Sequence, residues 1–565
     1  MLANCASPTA TWAEPGPLTR PTRGALRPAT AIILAALWIA SIANLALWRA
    51  LAGLPELANG RGLAFGIGFG VMIAAAHVAL LSLLAWRWTL KPALALFLLA
   101  AAGGAYFMLS YGVVIDRTMM VNVLLTDTRE ARELLSWRLL GALLLLGVLP
   151  LALLWRTPLR WATPLRQAGH NAILLVAACA LLAGAGGLFF QDLSATMRNH
   201  TQLRYLINPL NSFYAIATLG ERPIQRNGAA VLPIGQDAHL APRPAGAQPP
   251  LVLLVVGETA RSDHQGLNGY ARDTTPELAA RGVVSLRNAW SCGTNTAASV
   301  PCMFSPLGRE AFDARQDNTE GLADVLQRAG YAVLWLDNQA GGCKGVCDRV
   351  PTVDDKALQT PGLCDAEGEC LDEVMQNGLD ERIAQLPPER RARGVVVFMH
   401  QMGSHGPAYY KRSPKAFKKF EPECTTNALQ QCSREQVVNA YDNTIVYTDH
   451  VLASNIDWLK AHEAQWSPAL MYLSDHGESL GENNLYLHGL PYRFAPDVQK
   501  HIPWVFWLSP QFQQESGISL KCLARLRDEH VSQDNYFHTV LGLLGVRTKV
   551  YDPRRDMGVM CQGAG

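Results

Sequence analysis

Two apolar runs of the sequence are each followed by side chains that bind metal ions. Glu258 comes just after the run at residues 251–256, and Asp475 and His476 come directly after a second run that ends at residue 474. Carboxylate and imidazole groups are ligands suited to zinc. Thr296 lies between the two segments, and a threonine hydroxyl is a poor nucleophile until a cation stabilises its alkoxide. These residues therefore predict a metal site that activates a hydroxyl group.

Each of these residues also has a structural interpretation. An Asp-His pair is frequent in surface loops and helix caps, and Thr296 stands where an N-cap threonine would precede a helix. The metal interpretation gains weight because both segments follow continuous apolar runs, which are typical of strands buried in a parallel sheet. Ligands of open α/β sheets bind at the carboxyl edge, where such strands end.

Three further residues have types and surroundings that suit phosphate chemistry. Lys344 lies on a short loop between Cys343 and Cys347, where it could hold a phosphate, although exposed lysines are usually solvated. His405 and His488 lie among glycines. Either histidine could be structural, donate to phosphoryl oxygens, act as an acid or base, or bind a second metal.

Asn122, Thr126 and Glu130 fall at i, i+4 and i+8, so a helix would place them in one polar stripe. A solvated helix face explains such a stripe. Methionines and leucines surround it, however, as on a helix that lies at a bilayer, and a lipid headgroup could be recognised there.

The chain has 565 residues with a net charge of +2 and 17% charged residues, and five long segments carry no Asp, Glu, Lys or Arg. Each is close to or above the ~20 residues that cross a bilayer. The segments are 31–48, 63–86, 92–115, 139–155 and 171–190. Arginines and lysines in the N-terminal tail and in the second and fourth connections place those parts in the cytoplasm. An odd number of crossings then places the rest of the chain outside, and the first segment is predicted to be a retained anchor.

Cysteine usage agrees with export. Two of the 12 cysteines precede residue 191, and eight of the other ten fall in close pairs. Free thiols or a cysteine zinc cluster are the alternatives, but an exported domain meets oxidants and favours disulfides. The close pairs are Cys292/Cys302, Cys343/Cys347, Cys364/Cys370 and Cys424/Cys432, which leaves Cys522 and Cys561 to each other.

After residue 250, apolar runs alternate with helical patterns, which predicts a mostly parallel sheet sandwiched by helices. We therefore predict a five-helix transmembrane domain at 1–190, a bridging helix and linker at 191–250, and a periplasmic α/β catalytic domain at 251–565. No P-loop, nucleotide fingerprint or basic-aromatic cluster is present in the sequence, so nucleic-acid binding has no support.

Five motifs make a family resemblance recognisable: GETARSDHQGLNGY, SCGTNTAASVPCMFS, GGCKGVCDRVP, GSHGPAYY and LSDHGESLGENNLYLHG. They resemble the membrane phosphoethanolamine transferases that modify lipid A, including those that cause polymyxin and colistin resistance. The resemblance implies an alkaline-phosphatase-like domain in which Glu258, Asp475 and His476 bind Zn²⁺ and Thr296 is the nucleophile and fourth ligand. It implies that Lys344, His405 and His488 bind phosphoethanolamine, and that Asn122, Thr126 and Glu130 meet the donor lipid.

The function implied is transfer of phosphoethanolamine from phosphatidylethanolamine to a lipid A phosphate. It proceeds through a threonine phosphodiester, releases diacylglycerol and makes the outer membrane less negative. Glu258 joins Thr296, Lys344, His405 and His488 as a catalytic residue in this scheme, and a monomer in the inner membrane is expected. The alternatives are transfer to lipopolysaccharide core sugars, a hydrolase or sulfatase of the same superfamily, a phosphoglycerol transferase, and a non-catalytic envelope protein that only binds metal.

Overall fold

The computed structural model describes residues 25–125, 131–132, 134–221, 231–339, 341–366 and 368–563. Five helices in this part of the chain are long and apolar enough to cross a membrane, as predicted. They are α1 (Pro28–Ala52), α2 (Gly60–Leu83), α3 (Leu90–Tyr111), α5 (Trp137–Arg156) and α6 (Pro164–Leu188), and a short helix α4 (Arg117–Leu125) lies between α3 and α5. Trp88 and Trp137, at the starts of α3 and α5, are among the most exposed aromatic side chains, as expected for anchors at a membrane surface.

A bridging segment follows the last span. It contains α7 (Phe190–Asn199), a 3₁₀ helix (Thr201–Leu206) and α8 (Leu210–Ala217). The predicted bridging helix is divided before Pro209, because the residue before a proline disfavours helical geometry. The Asn208 amide donates to the carbonyls of Ala43 (2.9 Å) and Ala101 (2.6 Å), so this bend is fixed to α1 and α3.

The remainder of the chain is built around an eight-stranded sheet of order β11-β3-β10-β7-β2-β6-β4-β5. Strand β10 runs antiparallel to β3 and β7, and the other pairings in this sheet are parallel, which confirms the predicted mostly parallel sheet. The strands in the described residues are β1 (His239–Leu240), β2 (Pro250–Gly257), β3 (Val284–Trp290), β4 (Ala332–Asp337), β5 (Thr352–Asp354), β6 (Val395–His400), β7 (Ser467–Ser474), β8 (Ser479–Leu480), β9 (Tyr486–Leu487), β10 (His501–Leu508), β11 (Val531–Ser532) and β12 (Val546–Arg547). Strand β1 pairs with β12, so part of the stretch predicted as linker packs on this domain.

Helices cover both faces of the sheet, and this explains the continuous apolar runs. Val252, Leu254 and Val256 belong to one buried cluster, while Leu251, Leu253 and Val255 belong to a second cluster on the opposite face. The helices are α9 (Pro276–Ala280), α10 (Thr296–Met303), α11 (Arg309–Ala314), α12 (Leu322–Ala329), α13 (Leu379–Ala384), α14 (Pro388–Arg391), α15 (Arg434–Ala461), α16 (Pro510–Ser516), α17 (Leu520–Leu523), α18 (Tyr536–Leu543) and α19 (Met557–Gly563).

The membrane helices meet the sheet domain at the β8–β9 hairpin. Tyr486 and Leu487 pack with Tyr106 and Tyr111 at the outer end of α3. The Gln430 amide donates to the Ser110 carbonyl at 2.6 Å, and helix α4 packs against α10. This contact matters for function because α10 begins at Thr296 and the hairpin leads directly to His488.

Candidate active site

Parallel pairing of β2 and β7 brings the predicted metal ligands together. Gly257 pairs with Ser474 at the ends of these strands, so Glu258, Asp475 and His476 leave the sheet at the same edge. The ligand atoms of these three residues lie within 4.8 Å of one another, and the residues are fully buried.

The hydrogen bonding of His476 indicates which ring nitrogen is available to bind a cation. Its Nδ1 lies 2.9 Å from the Gly477 carbonyl, which can only accept, so Nδ1 carries the ring proton. Burial lowers the pKa of His476 to about 4. The Nε2 lone pair therefore points, without a proton, at Glu258 Oε1 and Asp475 Oδ2, each 3.2 Å away.

The two carboxylates add negative charge to this buried cluster. Burial raises the pKa of Glu258, and burial followed by the charge of Glu258 raises that of Asp475 to about 6. A raised pKa means that each buried carboxylate resists ionisation, and a divalent cation among the three ligand atoms would offset the negative charge. Two carboxylates and one neutral imidazole therefore fit a divalent metal ion such as zinc.

The structure places Thr296 beside this cluster. Its hydroxyl lies 3.2 and 3.1 Å from the two carboxylate oxygens of Glu258 and 3.5 Å from His476 Nε2. The N-cap of helix α10 is Asn295, whose side chain accepts from the Ala298 amide at 3.0 Å. The capping role that the sequence left open for Thr296 thus belongs to its neighbour, and the Thr296 hydroxyl faces the predicted metal ligands.

The two predicted histidines lie next to each other but in different electrostatic settings. The ring centroid of His488 lies 4.3 Å from the ring centroid of His476 and 5.6 Å from that of His405. Burial alone would lower the pKa of His488, but the Glu478 carboxylate, 3.3 Å from its Nδ1, raises it to about 9. Burial and the charge of His488 hold the pKa of His405 well below its usual value.

Lys344 is a half-buried residue on a tight loop closed by the Cys343–Cys347 disulfide. Its backbone has φ +53°, and its charge acts on Glu258, whose pKa it lowers against the larger effect of burial. Asn122 lies on α4, which packs on the Thr296 helix. Thr126 and Glu130 lie outside the described residues.

Ten cysteines form five disulfides, and these join the same partners that proximity in the sequence suggests. The pairs are Cys292–Cys302, Cys343–Cys347, Cys364–Cys370, Cys424–Cys432 and Cys522–Cys561. The first of them closes the loop that carries Thr296.

Two residues of the site were missed by sequence reasoning. Gln339 is buried and donates from Nε2 to Glu258 Oε2 at 3.2 Å, and Glu478 is the partner of His488. Gln339 follows β4 and Glu478 follows β7 at the same edge of the sheet, so the rule that found Glu258 would have found both.

Known families and relatives match this chain over almost its whole length. Residues 250–546 match the family described as Sulfatase, and residues 73–223 match the family described as Phosphoethanolamine transferase EptA/EptB. The chain is 40% identical to phosphoethanolamine transferase EptA of Escherichia coli K12, over 94% of this chain and 96% of that protein. It is 37% identical to phosphatidylethanolamine transferase Mcr-1 of E. coli, over 86% and 91% of the two chains. Its structure resembles the integral membrane protein lipooligosaccharide phosphoethanolamine transferase A of Neisseria meningitidis, with a TM-score of 0.88, 34% identity, and coverage of 95% and 99% of the two chains.

Proposed function

The chain belongs to the phosphoethanolamine transferase family, and from that premise we propose that it moves phosphoethanolamine from phosphatidylethanolamine to a phosphate of lipid A. The observation that carries this proposal is the Thr296 hydroxyl, 3.1 Å from Glu258 and 3.5 Å from His476 in a buried cluster that fits a metal ion. The donor assignment is supported by the similarity to Mcr-1, which is named a phosphatidylethanolamine transferase.

The reaction comprises two displacements at one phosphorus atom. In the first, the Thr296 oxygen forms a bond to the donor phosphorus and its proton passes to the neutral His405, while the bond from phosphorus to the glyceride oxygen breaks and diacylglycerol leaves with a proton. The protonated ring of His488 is the group in this site suited to supply that proton. In the second, an oxygen of the lipid A phosphate forms a bond to the same phosphorus and its proton passes to His488, while the bond to the Thr296 oxygen breaks and His405 returns the proton that restores the hydroxyl.

Glu258, Asp475 and His476 would hold a zinc ion, with Thr296 as the fourth ligand. Bound there, zinc would lower the pKa of the hydroxyl and offset charge on the phosphoryl oxygens. Lys344 and His405 bind those oxygens beside His488, and Gln339 keeps the Glu258 carboxylate in place. Asn122, Thr126 and Glu130 contact the donor lipid.

The five spans keep this site at the outer surface of the inner membrane, so the monomeric enzyme meets donor and acceptor by diffusion in the membrane plane. A catalytic domain in the periplasm is supported by the disulfides, since these persist in oxidising compartments. The product carries an added ammonium group, which reduces the negative charge that attracts polymyxins.

The proposal is tested with a donor that carries its label in the headgroup. We expect the purified protein to acquire label covalently and pass it to lipid A, and we expect Thr296→Ala to do neither. Thr296→Ser keeps a hydroxyl and serves as the matched control that should retain labelling. Mass spectrometry of lipid A from expressing cells should show added phosphoethanolamine, whereas loss of phosphate would indicate a hydrolase. Covalent labelling and transfer by Thr296→Ala would refute the assignment.

A further inference from the structure

Gln533 joins two parts of the active site that are far apart in the sequence. Its Oε1 accepts from the Cys292 amide at 2.7 Å, and its Nε2 donates to the carbonyls of Ser474 (2.9 Å) and Asp475 (2.7 Å). Cys292 begins the disulfide loop that carries Thr296, whereas Ser474 and Asp475 form the end of β7. One side chain thus bonds both the nucleophile loop and the strand that presents the metal ligands.

The backbone around Gln533 fixes the position of this amide. Strand β11 pairs in parallel with β3, with Ser532 opposite Trp290, so Gln533 leaves the sheet beside the start of the nucleophile loop. The Ser532 hydroxyl accepts from the Asp534 amide (3.2 Å), and the Asn535 side chain accepts from the Ser532 amide (2.9 Å). The side chain therefore projects from an ordered capping turn at the start of α18.

The amide is buried, and all of its donors are used. Gln533 is 1% exposed, and both hydrogens of its Nε2 are directed to carbonyl oxygens. Other polar contacts of the loop lead elsewhere: the Thr294 hydroxyl donates to the Leu490 carbonyl (2.6 Å), and the Ser291 amide donates to the Lys500 carbonyl (2.8 Å). Those bonds fasten the loop to the segment around residues 490–500, while Gln533 fastens it to β7 itself.

We propose that Gln533 is a positioning residue for the transfer reaction, and that it sets the distance between the Thr296 hydroxyl and the side chains of Asp475 and His476. This inference rests on the proposed function. The hydroxyl lies 3.5 Å from His476 Nε2, and a misplacement of ~1 Å in a reacting group lowers a rate by roughly 100-fold. Substrate binding should change little, because Gln533 bonds to backbone atoms and not to Lys344, His405 or His488.

Two variants of similar side-chain size test the hydrogen bonds of Gln533 to the nucleophile loop and to β7 separately. Gln533→Met removes all three hydrogen bonds at nearly constant volume. Gln533→Glu keeps an acceptor for the Cys292 amide but replaces the donor with a carboxylate that faces two carbonyls. Gln513→Met is the matched control, because Gln513 also joins two backbone groups, the Leu508 carbonyl (3.0 Å) and the Leu520 amide (2.9 Å), on helix α16.

The full-length protein is assayed in detergent with headgroup-labelled phosphatidylethanolamine, and kcat, KM, bound zinc and melting temperature are measured for each variant. We expect kcat to fall about 10- to 100-fold in both Gln533 variants, with KM within about threefold of wild type. Bound zinc should remain at the wild-type ratio, and Gln513→Met should keep the wild-type kcat.

The inference would be overturned by a kcat in Gln533→Met equal to that of Gln513→Met, by a rise in KM that accounts for the whole loss, or by zinc loss in proportion to activity. A full kcat in Gln533→Glu would also overturn it, because the bonds to β7 would then be dispensable. Failure of the proposed function gives a different result, since the wild type itself would show no Thr296-dependent labelling.

Discussion

Gly403 offers a direct test of how closely the active site is packed. Its φ of +52° lies in the left-handed region, and a Cβ built on it would be 2.7 Å from the Glu258 carbonyl oxygen and 3.0 Å from the Glu258 nitrogen. Neither segment can move freely. The Gly403 amide donates to Asp372 Oδ2 (2.9 Å), and the Ser404 amide donates to the Glu258 carbonyl (3.0 Å). The added Cβ of Gly403→Ala would therefore press against the backbone of Glu258.

Two contributions set the size of the effect. An alanine in the left-handed region costs about 1–2 kcal/mol. Overpacking of a well-packed region costs about 1–3 kcal/mol, which gives about 2–5 kcal/mol in total. Gly517→Ala is the control, because Gly517 has φ +70° but open space around a Cβ, so only the first contribution applies.

The melting temperatures of the full-length variants measure this difference. For a domain of 150–250 residues, 1 kcal/mol shifts the melting temperature by about 2–4 °C, so the larger sheet domain should show shifts near or below the lower end of that range. We expect Gly403→Ala to melt several degrees below Gly517→Ala and to lose at least about tenfold in transfer rate, because Glu258 is displaced. Equal melting temperatures together with a wild-type transfer rate for Gly403→Ala would refute the close contact with Glu258.

Two further predictions concern the metal and pH. Removal of metal with a chelator should abolish transfer and lower the melting temperature, and added zinc should restore the activity and the melting temperature. Thr296→Ala should keep much of the zinc-dependent stabilisation while it remains inactive, because three ligands persist. Burial raises the pKa of Asp449, which accepts from the Glu277 and Leu278 amides, to about 7. Because the folded-state pKa of Asp449 exceeds its unfolded value, the wild type should lose stability relative to Asp449→Asn as pH rises from about 4 to about 7. A difference in melting temperature between the two proteins that stays constant between pH 5 and pH 8 would contradict this.

The sequence predicts the sheet and part of the site for one physical reason. Strands buried on both faces need apolar side chains at every position, so β2 and β7 are visible as unbroken runs, and polar residues directly after them must lie at the sheet edge. Glu258, Asp475 and His476 could be placed in this way. The same rule does not give the antiparallel direction of β10, because a strand buried on both faces has the same composition in either direction.

Residues that act through hydrogen bonds to distant backbone have no such pattern. Gln533 is a single amide whose partners lie 241, 59 and 58 residues away, and only the strand order brings it to the end of β7 and to the loop that carries Thr296. Glutamine is usually exposed, so composition alone assigns Gln533 to the surface. Its burial follows from tertiary pairing, which no local window of the sequence contains.

The structure gives His405 and His488 different protonation states, which the sequence could not distinguish. His405 and His488 have the same side chain and similar glycine-rich surroundings in the sequence, so either could have been the acid or the base. Their difference comes from Glu478, whose carboxylate lies 3.3 Å from His488 Nδ1 and raises the pKa of that ring to about 9. Once His488 is charged, it opposes a second positive charge on His405, whose ring centroid is 5.6 Å away. A neutral His405 beside a protonated His488 gives the site one imidazole that can accept a proton and one that can donate it, as the two displacements require.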